Sequence, residues 1–579
     1  MELHAYTKNV NEIFSLNKKY VVPRFQREYS WTKEEVGEFW EDVTACISPV
    51  RKGGKTLKNE DYFIGSLVLI GDDASFEHSI VDGQQRLTTL TILLRALTEA
   101  FNLAGEKNIG QALYNNYIEG TDNDGKSYFK LINETPKPFF QNEIQFIKPE
   151  HNSIPSSDEE KLLNETFNFF KTKLEKKSLA AAFDGIPYKE ALKAIRTQTL
   201  NHLKFIYINV KKEDDAYSIF ETLNARGMSL SSVDLIKNWI FKNLKRAHPY
   251  DNTKSTWKKM GESLRSRQIP VDIETFFRHH WNSKYGYSSE DRIYKSFKLL
   301  VKSKEIGDPK IFLDALSAEA STYNKICNPL ETDWKGQSEK SIYSSLTAMN
   351  LFKVTQTRPF LLALVANRKN INTAHLIQIL KSLEHFHFIF TAVCSSRASG
   401  LDGKYAKSAK EIRFSESKSD SKRILNDLIE SLIQKLPSET VFTESFSNLW
   451  FCKEYEKDKK IIQYLFSKTE AFYQGHNELK LDEFSLEHIQ DQYLDGDLMG
   501  KIGNLVPLAA KINNSIPESS TLDKKVPHYQ KSALKTVSKL TKYITDNNIK
   551  EWTDEEIESR TSQIALELYQ SVMAIEKIK

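Results

Sequence analysis

Residues 78–86 have the sequence His-Ser-Ile-Val-Asp-Gly-Gln-Gln-Arg, and this stretch decides the fold of the N-terminal part of the chain. The apolar residues before Asp82 predict a short strand. The apolar spacing from Leu87 to Ala100 predicts a helix directly afterwards. Gly83 lies between the two elements, where a residue without a Cβ permits a tight turn and lets a ligand approach the backbone. We therefore expect a strand, a glycine turn and the N-terminus of a helix.

The polar side chains of this turn suit the phosphate of a nucleotide. The N-terminus of a helix presents unpaired N–H groups and a positive dipole end, and Arg86 adds a bidentate cation. Asp82 can hold a metal ion or its bound water, while Gln84 and Gln85 can position a water or a base edge. A capped turn with solvated polar side chains explains the same residues, because strand–glycine–helix turns are common. The residue chemistry alone leaves both interpretations open.

Flanking patterns predict a region of mixed α and β structure around this turn. Thr32 and Glu35 form a capping box that begins a helix. Tyr62–Ile70 and residues 205–210 have the β-branched and aromatic composition of strands. Residues 105–160 are polar and weakly periodic, which predicts loops.

The middle of the chain has a simpler pattern. We expect Ser232 to cap a helix that runs to Leu244. From about residue 250 to residue 470, amphipathic helices alternate with polar loops, and no chemical motif is recognisable. This region can sense DNA, form a dimer or space the two ends of the chain.

The bulk composition fits a globular protein of several domains. The chain has 579 residues, which predicts roughly three or four domains. Its net charge of +4 neither indicates nor excludes nucleic-acid binding. Four cysteines without a Cys-x-x-Cys pair argue against a disulfide framework or a cysteine zinc site. Because the N-terminus lacks a secretory signal and no apolar run reaches the length of a membrane span, we expect a cytoplasmic protein.

A second polar pattern lies near the C-terminus. Glu487 and His488 are adjacent, Asn504 follows His488 by 16 positions, and Asn513 follows Asn504 by nine. A histidine can act as a general base on water, and carboxylate and amide oxygens are ligands that Mg²⁺ accepts. These residue types therefore suit a one-metal nuclease. A Glu-His pair on an exposed helix or strand edge is the simpler alternative.

Several motifs in the N-terminal part resemble one known family. They are the sequences VPRFQREYSW at residues 22–31, YFIGS at residues 62–66, the Asp-Gly-Gln-Gln-Arg turn, FETLNARG at residues 220–227 and DLIKN at residues 234–238. Together they resemble the ParB-like, sulfiredoxin-related domain of GmrSD-type restriction enzymes and of phosphorothioate-sensing Ssp nucleases. That resemblance implies binding and hydrolysis of a nucleoside triphosphate, GTP or ATP.

The resemblance also assigns residues to the nucleotide pocket. The central loop would comprise Asp82, Gly83, Gln84, Gln85 and Arg86, and further candidates are Gln26, Arg27, Asn224 and Arg226. Structural roles remain open for the second group, because Arg27 can pair with Glu28 or Glu221, and Asn224 can end a helix in the left-handed conformation.

The C-terminal pattern resembles the His-Asn-His, or His-Me finger, nuclease domain that follows ParB-like domains in the same restriction families. This resemblance implies that His488 is the general base and that Asn504 orients it. Glu487 and Asn513 would hold the metal, with Asn514 as the substitute for Asn513. The sequence departs from the family at Asp491, where a proline is usual, and this change removes no metal ligand.

Basic residues follow the C-terminal pattern. Lys524 and Ser532 lie where the family often has a lysine and a serine, so the resemblance implies that they contact DNA phosphates. A solvated lysine face of a helix explains the same basic region.

The sequence as a whole predicts a multidomain α+β restriction nuclease. We expect a ParB/sulfiredoxin-like nucleotide-binding domain at residues 1–248, a helical linker domain at residues 249–440 and a ββα-metal nuclease domain embedded in helices at residues 441–579. Nucleotide hydrolysis would regulate Mg²⁺-dependent nicking or cleavage of double-stranded phage DNA that carries a modification, as in type IV restriction. The enzyme can be a homodimer, and no membrane partner is expected. The alternatives are a ParB-like DNA-binding regulator, or an NTPase, with an inactive nuclease-like C-terminal domain.

Overall fold

The computed structural model of the protein describes most of the chain. The described residues are 4–24, 26, 28–51, 56–72, 74–133, 139–147, 153–211, 231–244, 251–334, 336, 339–475, 484–490 and 498–578. These ranges form an α+β protein with more helix than strand, which confirms the predicted mixture of elements. Among the same residues, no helix combines the length and the apolar composition needed to cross a membrane.

The chain divides into two compact units. The first consists of Met1–Trp257 with Phe297–Leu313, and the second of Lys258–Ser296 with Asp314–Lys579. The first contains the Asp-Gly-Gln-Gln-Arg turn, and the second contains the Glu-His pair. Each candidate site therefore belongs to one unit.

A six-stranded mixed sheet forms the centre of the first unit. The described residues of the first unit contain ten strands, of which six form this sheet. Strands β1–β10 are His4–Asn9, Lys19–Val22, Ile47–Pro49, Leu57–Asn59, Tyr62–Ile70, Glu77–Asp82, Glu119–Thr121, Ser127–Phe129, Leu131–Asn133 and Leu203–Val210. The order in the large sheet is β1-β10-β5-β6-β2-β9. Strand β10 pairs antiparallel with β1 and parallel with β5, and β5 pairs antiparallel with β6. The predicted strands at residues 62–70, 78–81 and 205–210 are thus confirmed.

Among the described residues up to Asn243, eight helices, α1–α8, pack around this sheet or follow it. They are Val10–Phe14, Lys33–Ala45, Gln84–Leu103, Lys107–Tyr117, Asp158–Lys173, Lys176–Ala182, Tyr188–Thr197 and Ser232–Asn243. Helix α2 begins as predicted, because Thr32 and Glu35 form both hydrogen bonds of the capping box. In α3, sixteen of twenty residues are buried, so this helix is central rather than amphipathic.

Two local predictions in the first unit are wrong. Residues 105–160 contain α4, three short strands and the start of α5 in place of loops, because buried side chains such as Leu113 and Tyr114 attach the segment to the core. The cap of α8 is Ser231 rather than Ser232, since the Ser231 hydroxyl accepts a hydrogen bond from the backbone N–H of Asp234. The sequence also predicts a helix over residues 214–223, but these residues lie outside the described ranges.

The remaining helices confirm the predicted helical middle. Helices α9–α23 are Asn252–Arg265, Ile273–Tyr285, Glu290–Lys302, Pro309–Cys327, Lys340–Leu351, Arg358–Ala366, Thr373–His387, Leu401–Phe414, Lys418–Ile433, Glu439–Phe446, Lys459–Gln474, Ala510–Asn513, Leu522–Tyr529, Lys535–Asp546 and Asp554–Glu567. Between α19 and α20, strands β11 and β12, Phe484–His488 and Leu505–Ala509, form an antiparallel pair. A threonine capping box at Thr553 begins the final α-helix.

A buried carboxylate joins three helices of the second unit. Glu384 of α15 is 1% exposed, and it accepts hydrogen bonds from Ser345 of α13 at 2.6 Å and from Tyr464 of α19 at 2.7 Å. The Lys468 ammonium lies 2.6 Å from the same carboxylate. Burial by itself raises the pKa of Glu384, but the Lys468 charge and the hydrogen bonds outweigh burial and bring the pKa to about 2.

We expect Glu384→Gln to destabilise the protein by roughly 2–4 kcal/mol at neutral pH, because the change leaves the partly buried Lys468 ammonium without its counter-charge. The folded pKa of this carboxyl lies below its unfolded value of about 4.3. The stabilisation is therefore complete above that pH and is lost as the pH falls towards about 2. Denaturant unfolding at a series of pH values measures both effects.

The exposed carboxylate of Glu444 provides the matched control, and Glu444→Gln should retain the stability and pH profile of the parent. As the pH is lowered, the free energy of unfolding of Glu384→Gln should fall less steeply than that of the parent. Parallel pH profiles for the parent and Glu384→Gln would contradict this role for the carboxylate.

Candidate functional site

The glycine turn after β6 has the geometry that the sequence predicts. Gly83 is the N-terminal cap of α3 and has a φ of +94°, which favours glycine. A Cβ on this residue would lie 2.9 Å from the Leu67 side chain and 3.2 Å from the carbonyl of Ser66. Helix α3 begins at Gln84, so the polar residues of the motif form the first helical turn.

Asp82 and Arg86 bind each other across this turn. The Arg86 guanidinium lies 3.1 Å from the Asp82 carboxylate, which also accepts a hydrogen bond of 2.9 Å from Ser66. A second guanidinium nitrogen donates to the carbonyl of Ile64 at 3.1 Å. The guanidinium thus connects α3 with β5 and β6, while about a fifth of each charged side chain remains exposed.

Gly65 makes room for this guanidinium in the middle of β5. It has a φ of +109°, and a Cβ on it would lie 2.0 Å from Nη1 of Arg86. The Gly65-Ser66 pair of β5 therefore has two effects on Arg86. Gly65 leaves space for its guanidinium, and Ser66 donates a hydrogen bond to the Asp82 carboxylate that pairs with it.

The segment before α2 packs against the same turn. Gln26 donates to the carbonyls of Ile80 and Val81, at 3.3 and 2.9 Å. The Gln85 side chain accepts from the backbone N–H of Ser30 at 3.0 Å and donates to the carbonyl of Glu28 at 3.1 Å. The two glutamines thus hold the segment against β6 and α3.

The structure brings together one part of the predicted pocket. Gln26 and the five residues of the Asp82–Arg86 turn form a connected cluster. Arg27, Asn224 and Arg226 lie outside the described residues. In the described cluster, Asp82, Gln85, Arg86 and Gln26 all form internal hydrogen bonds, so each has a structural role whatever ligand it binds.

Charged residues beside Glu28 were not among the predicted site residues. Lys254 lies 3.5 Å from Glu28, and the Lys237 ammonium lies over the rings of Phe241 and Trp257 at 5.8 and 5.7 Å. Burial lowers the pKa of Lys237. The sequence contained a signal that could have identified Lys237, because it is the lysine of the Asp-Leu-Ile-Lys-Asn motif at residues 234–238.

In the second unit, Glu487 and His488 end strand β11. Neighbouring side chains of a strand point to opposite faces, and the alternating burial of residues 484–488 follows this rule. The structure therefore does not place the two adjacent side chains on one face, although their sequence spacing suggested a side-by-side pair.

His488 packs against the chain before α19. It is 7% exposed, its ring stacks on the ring of Phe451 with centroids 5.7 Å apart, and its Nε2 lies 3.0 Å from the Phe451 carbonyl oxygen. A carbonyl only accepts hydrogen bonds, so Nε2 carries the proton in this contact. Phe451 was not predicted, because a backbone carbonyl leaves no sequence signal.

The opposite face of β11 carries Glu487 and Ser485. The ammonium of Lys525 lies 2.9 Å from the Glu487 carboxylate and donates to the His488 carbonyl at 2.6 Å. Asn513, the last residue of α20, donates to the Ser485 hydroxyl at 2.9 Å. The two predicted metal ligands therefore both contact the face of the hairpin that His488 does not occupy.

Asn504 acts on the backbone after His488 rather than on its ring. The buried Asn504 amide bonds to the backbone of Gln490 in both directions, at 2.7 and 3.0 Å, and donates to Met499 at 2.7 Å. The backbone carbonyl of Asn504 accepts a hydrogen bond from the N–H of Ile489 at 2.8 Å. Asn504 thus fixes the chain that leaves β11 through backbone contacts.

Gly503 lets the final α-helix approach this turn. A Cβ on Gly503 would lie 1.9 Å from the carbonyl oxygen of Ile557. Thr561 accepts a hydrogen bond from the Gly503 N–H at 2.9 Å, and Arg560 donates to the carbonyls of Gly503 and Leu505, each at 2.8 Å. The turn formed by Gly503, Asn504 and Leu505 therefore contacts the final α-helix.

The predicted phosphate contacts lie on or near α21. Lys524 is exposed and Ser532 is half-buried. The buried lysine at the hairpin is the next residue, Lys525, which shares the inner face of α21 with Leu522 and Tyr529. A lysine on the apolar side of an amphipathic helix is the signal that distinguishes Lys525 from its neighbour.

Two family models match the chain, and both describe an enzyme that cuts DNA. The N-terminal domain of the GmrSD restriction endonuclease matches residues 10–241, and the C-terminal domain of the GmrSD restriction endonucleases matches residues 440–566. The class is thus that of restriction endonucleases. The chain belongs to the GmrSD restriction endonucleases, which confirms the resemblance found in its motifs. No curated protein matches the chain.

We expect Gly65→Ala to destabilise the protein by about 1–3 kcal/mol, because its Cβ would overlap Arg86. Combining it with Arg86→Ala removes the overlap, so the two changes should cost less together than the sum of their separate effects. Thermal or denaturant unfolding of the four variants of this cycle measures the coupling.

Gly125→Ala is the matched control for backbone strain. Gly125 also has a positive φ, +78°, but no atom lies within 4 Å of the position of its Cβ. Gly65→Ala should therefore cost more than Gly125→Ala. Additive effects in the cycle would show that Gly65 does not make room for Arg86.

Proposed function

We propose that the hairpin formed by β11 and β12 is the phosphodiester-cleaving site of a metal-dependent His-Me finger nuclease. We further propose that the ParB-like first unit binds and hydrolyses a nucleoside triphosphate and thereby regulates cutting. The observation that carries the first proposal is the buried His488 ring, held by stacking and by a hydrogen bond to the Phe451 carbonyl.

His488 is the general base in this proposal. With the proton on Nε2, the lone pair of the neutral imidazole lies on Nδ1. His488 accepts a proton from a water molecule as that water attacks the phosphorus atom. Phe451 holds the ring in one orientation and one tautomer, and Asn504 holds the backbone that follows.

Glu487 and Asn513 fit the metal-holding role by their chemistry. They supply carboxylate and amide oxygens, which are ligands of Mg²⁺. Asn513 uses its amide nitrogen to bind Ser485, so that bond does not consume its oxygen. Lys525 binds one carboxylate oxygen of Glu487 and positions this side chain. A bound Mg²⁺ would supply stabilisation of the negative charge that develops on the phosphate and the leaving oxygen.

The Asp82–Arg86 turn is the nucleotide-binding element in this proposal. The first turn of α3 presents backbone N–H groups and a positive dipole end beside the partly exposed Arg86, which together favour a phosphate. Gln26 and Gln85 fix the neighbouring segment, and Lys237 adds a cation beside it. GTP and ATP are the candidate ligands.

The substrate in this proposal is modified double-stranded phage DNA, cut in the cytoplasm by a monomer or a homodimer. Family membership supports DNA as the substrate. Lys524 also fits this substrate, because it is an exposed cation on α21. Ser532 lies beyond the end of that helix. The segments 1–248, 249–440 and 441–579 remain our proposed functional domains.

One observation favours a second candidate, a DNA-binding regulator whose nuclease-like end is inactive. The Glu487 carboxylate is already paired with a buried ammonium, and His488 points to the other face of β11. In that case Lys525 replaces the metal ion as the counter-charge, and the hairpin has only a structural role.

We expect His488→Ala to reduce Mg²⁺-dependent nicking of supercoiled plasmid about 10²–10⁴-fold, the contribution typical of a general base. The measurement compares parent and variant with and without GTP or ATP, on plain and on modified phage DNA. His528→Ala is the matched control, because the His528 ring bonds to Ser515 and not to the hairpin.

Nicking by the parent that is lost only in His488→Ala supports the nuclease proposal. Equal nicking by the parent and His488→Ala, or no nicking by either on any of these DNAs, would favour the inactive regulator. Circular dichroism of the variant checks that the change leaves the fold intact.

We expect Arg86→Lys to weaken GTP or ATP binding about tenfold, because lysine keeps the charge but loses the planar fork. Calorimetric titration of the full chain measures the affinity. Arg423→Lys is the control, since Arg423 is exposed and pairs with Asp420 and Asp427. Unchanged affinity in Arg86→Lys would remove the turn from the nucleotide pocket.

A further inference from the structure

A cavity lined by both apolar and polar residues lies among the helices of the second unit, and none of its lining residues belongs to the β11–β12 hairpin. It has a volume of about 820 Å³ and is lined by the loop between α9 and α10, the end of α12, one face of α13 and the start of α14. The lining residues used below are Asp272, Tyr343, Thr347, Asn350, Lys353 and Arg358. We name this space the Arg358 cavity.

Hydrogen bonds hold the walls of the Arg358 cavity in place. Asn350 of α13 donates to the carbonyl of Cys327 at 2.9 Å, and Asn328 donates to the carbonyl of Ile269 at 2.9 Å. Arg267 forms a two-pronged ion pair with Asp333 at 2.6 and 2.7 Å. These bonds connect the wall segments, so the space is part of the folded unit rather than a gap between loops.

The balance of charge in the Arg358 cavity is positive. Within the described residues, neither Lys353 nor Arg358 has a carboxylate at ion-pair distance. The two acidic side chains nearby are engaged elsewhere: Asp272 caps α10 through the N–H of Thr275, and Asp333 binds Arg267. Arg358 is also the first residue of α14, where the helix dipole adds to its charge.

Two polar atoms in the wall are buried without a hydrogen-bond partner. They are Oγ1 of Thr347 and Nε of Arg358, and both residues line the cavity. A buried polar atom without a partner is destabilising, and such atoms in folded proteins usually bind water or a ligand. The wall thus combines unfilled hydrogen-bonding capacity with the positive charges of Lys353 and Arg358.

We propose that the Arg358 cavity binds a phosphate ester of nucleotide size. Its volume lies within the range of small-molecule sites. Arg358 and Lys353 bind the phosphate, since guanidinium and ammonium groups form charge-assisted hydrogen bonds with phosphate oxygens. Thr347 and Tyr343 supply hydroxyl groups to the remainder of the ligand. The ester can be a free nucleotide or a nucleotide unit of DNA, which share this chemistry.

The test is hydrogen–deuterium exchange of the full chain with AMP or with a short single-stranded DNA oligonucleotide. We expect protection of the wall segments 266–272 and 352–358. Protection by AMP identifies a free nucleotide as sufficient, and protection by the oligonucleotide alone identifies DNA as the source. Both results support the cavity as a phosphate-ester site.

Variants locate the effect at the cavity. The single variant Lys353→Gln and the double variant Lys353→Gln/Arg358→Gln should each weaken binding of whichever probe gives protection at least about tenfold. This is the loss expected for a charge-assisted contact. Lys353 is exposed, so its single replacement is the variant least able to disturb folding. Lys369→Gln removes one exposed charge of the same unit and should leave binding unchanged.

No protection of the two wall segments by either probe would overturn the proposal. Equal protection in the parent, Lys353→Gln and the double variant would also overturn it. Binding at the Asp82–Arg86 turn does not require protection of residues 266–272 and 352–358, so failure here is distinguishable from failure of the proposed nucleotide site in the first unit.

Discussion

Close approach of a helix to the backbone, permitted by glycine, shapes both candidate sites. In the first unit, Gly83 starts α3 against β5, and Gly65 admits the guanidinium that rises from that helix. In the second unit, Gly503 lies so near Ile557 that no side chain fits between turn and helix. Each site has polar side chains immediately beside these contacts, where packing against the helix fixes their positions.

Several buried charges among the described residues are compensated by a charge of opposite sign. Glu384 has Lys468, and Glu319 has Arg413, each at 2.6 Å. Lys525 meets Glu487 at the hairpin. Because isolated charges are costly inside proteins, such pairs preserve the fold without requiring a ligand. The cations that line the Arg358 cavity have no such carboxylate, and the proposed phosphate ester would supply the counter-charge.

The sequence predicted local structure well where a chemical pattern was strong. The capping box at Thr32, the strand Tyr62–Ile70 and the glycine turn at Gly83 were confirmed. Family membership was also predictable, because ordered motifs are specific even when single motifs are weak. The folded segment from residue 105 was missed, because short strands with few apolar residues gain their stability from tertiary contacts.

Side-chain partners were less predictable than elements. Adjacency of Glu487 and His488 suggested a joint site, but strand alternation separates their side chains. Lys525 was distinguishable from Lys524 only by its place on the apolar face of α21. The Phe451 carbonyl was not predictable, since every residue has one and only the fold decides which carbonyl meets the ring. Whether these residues are catalytic stays a prediction.

The contact between His488 and the Phe451 carbonyl has a consequence for how the imidazole is controlled. A backbone acceptor does not ionise in the physiological range and survives every side-chain replacement at its position. The ring tautomer is then specified by the path of the main chain before α19, while the aromatic group of Phe451 affects only stacking. A small shift of that chain segment would break this hydrogen bond without any change in side-chain chemistry.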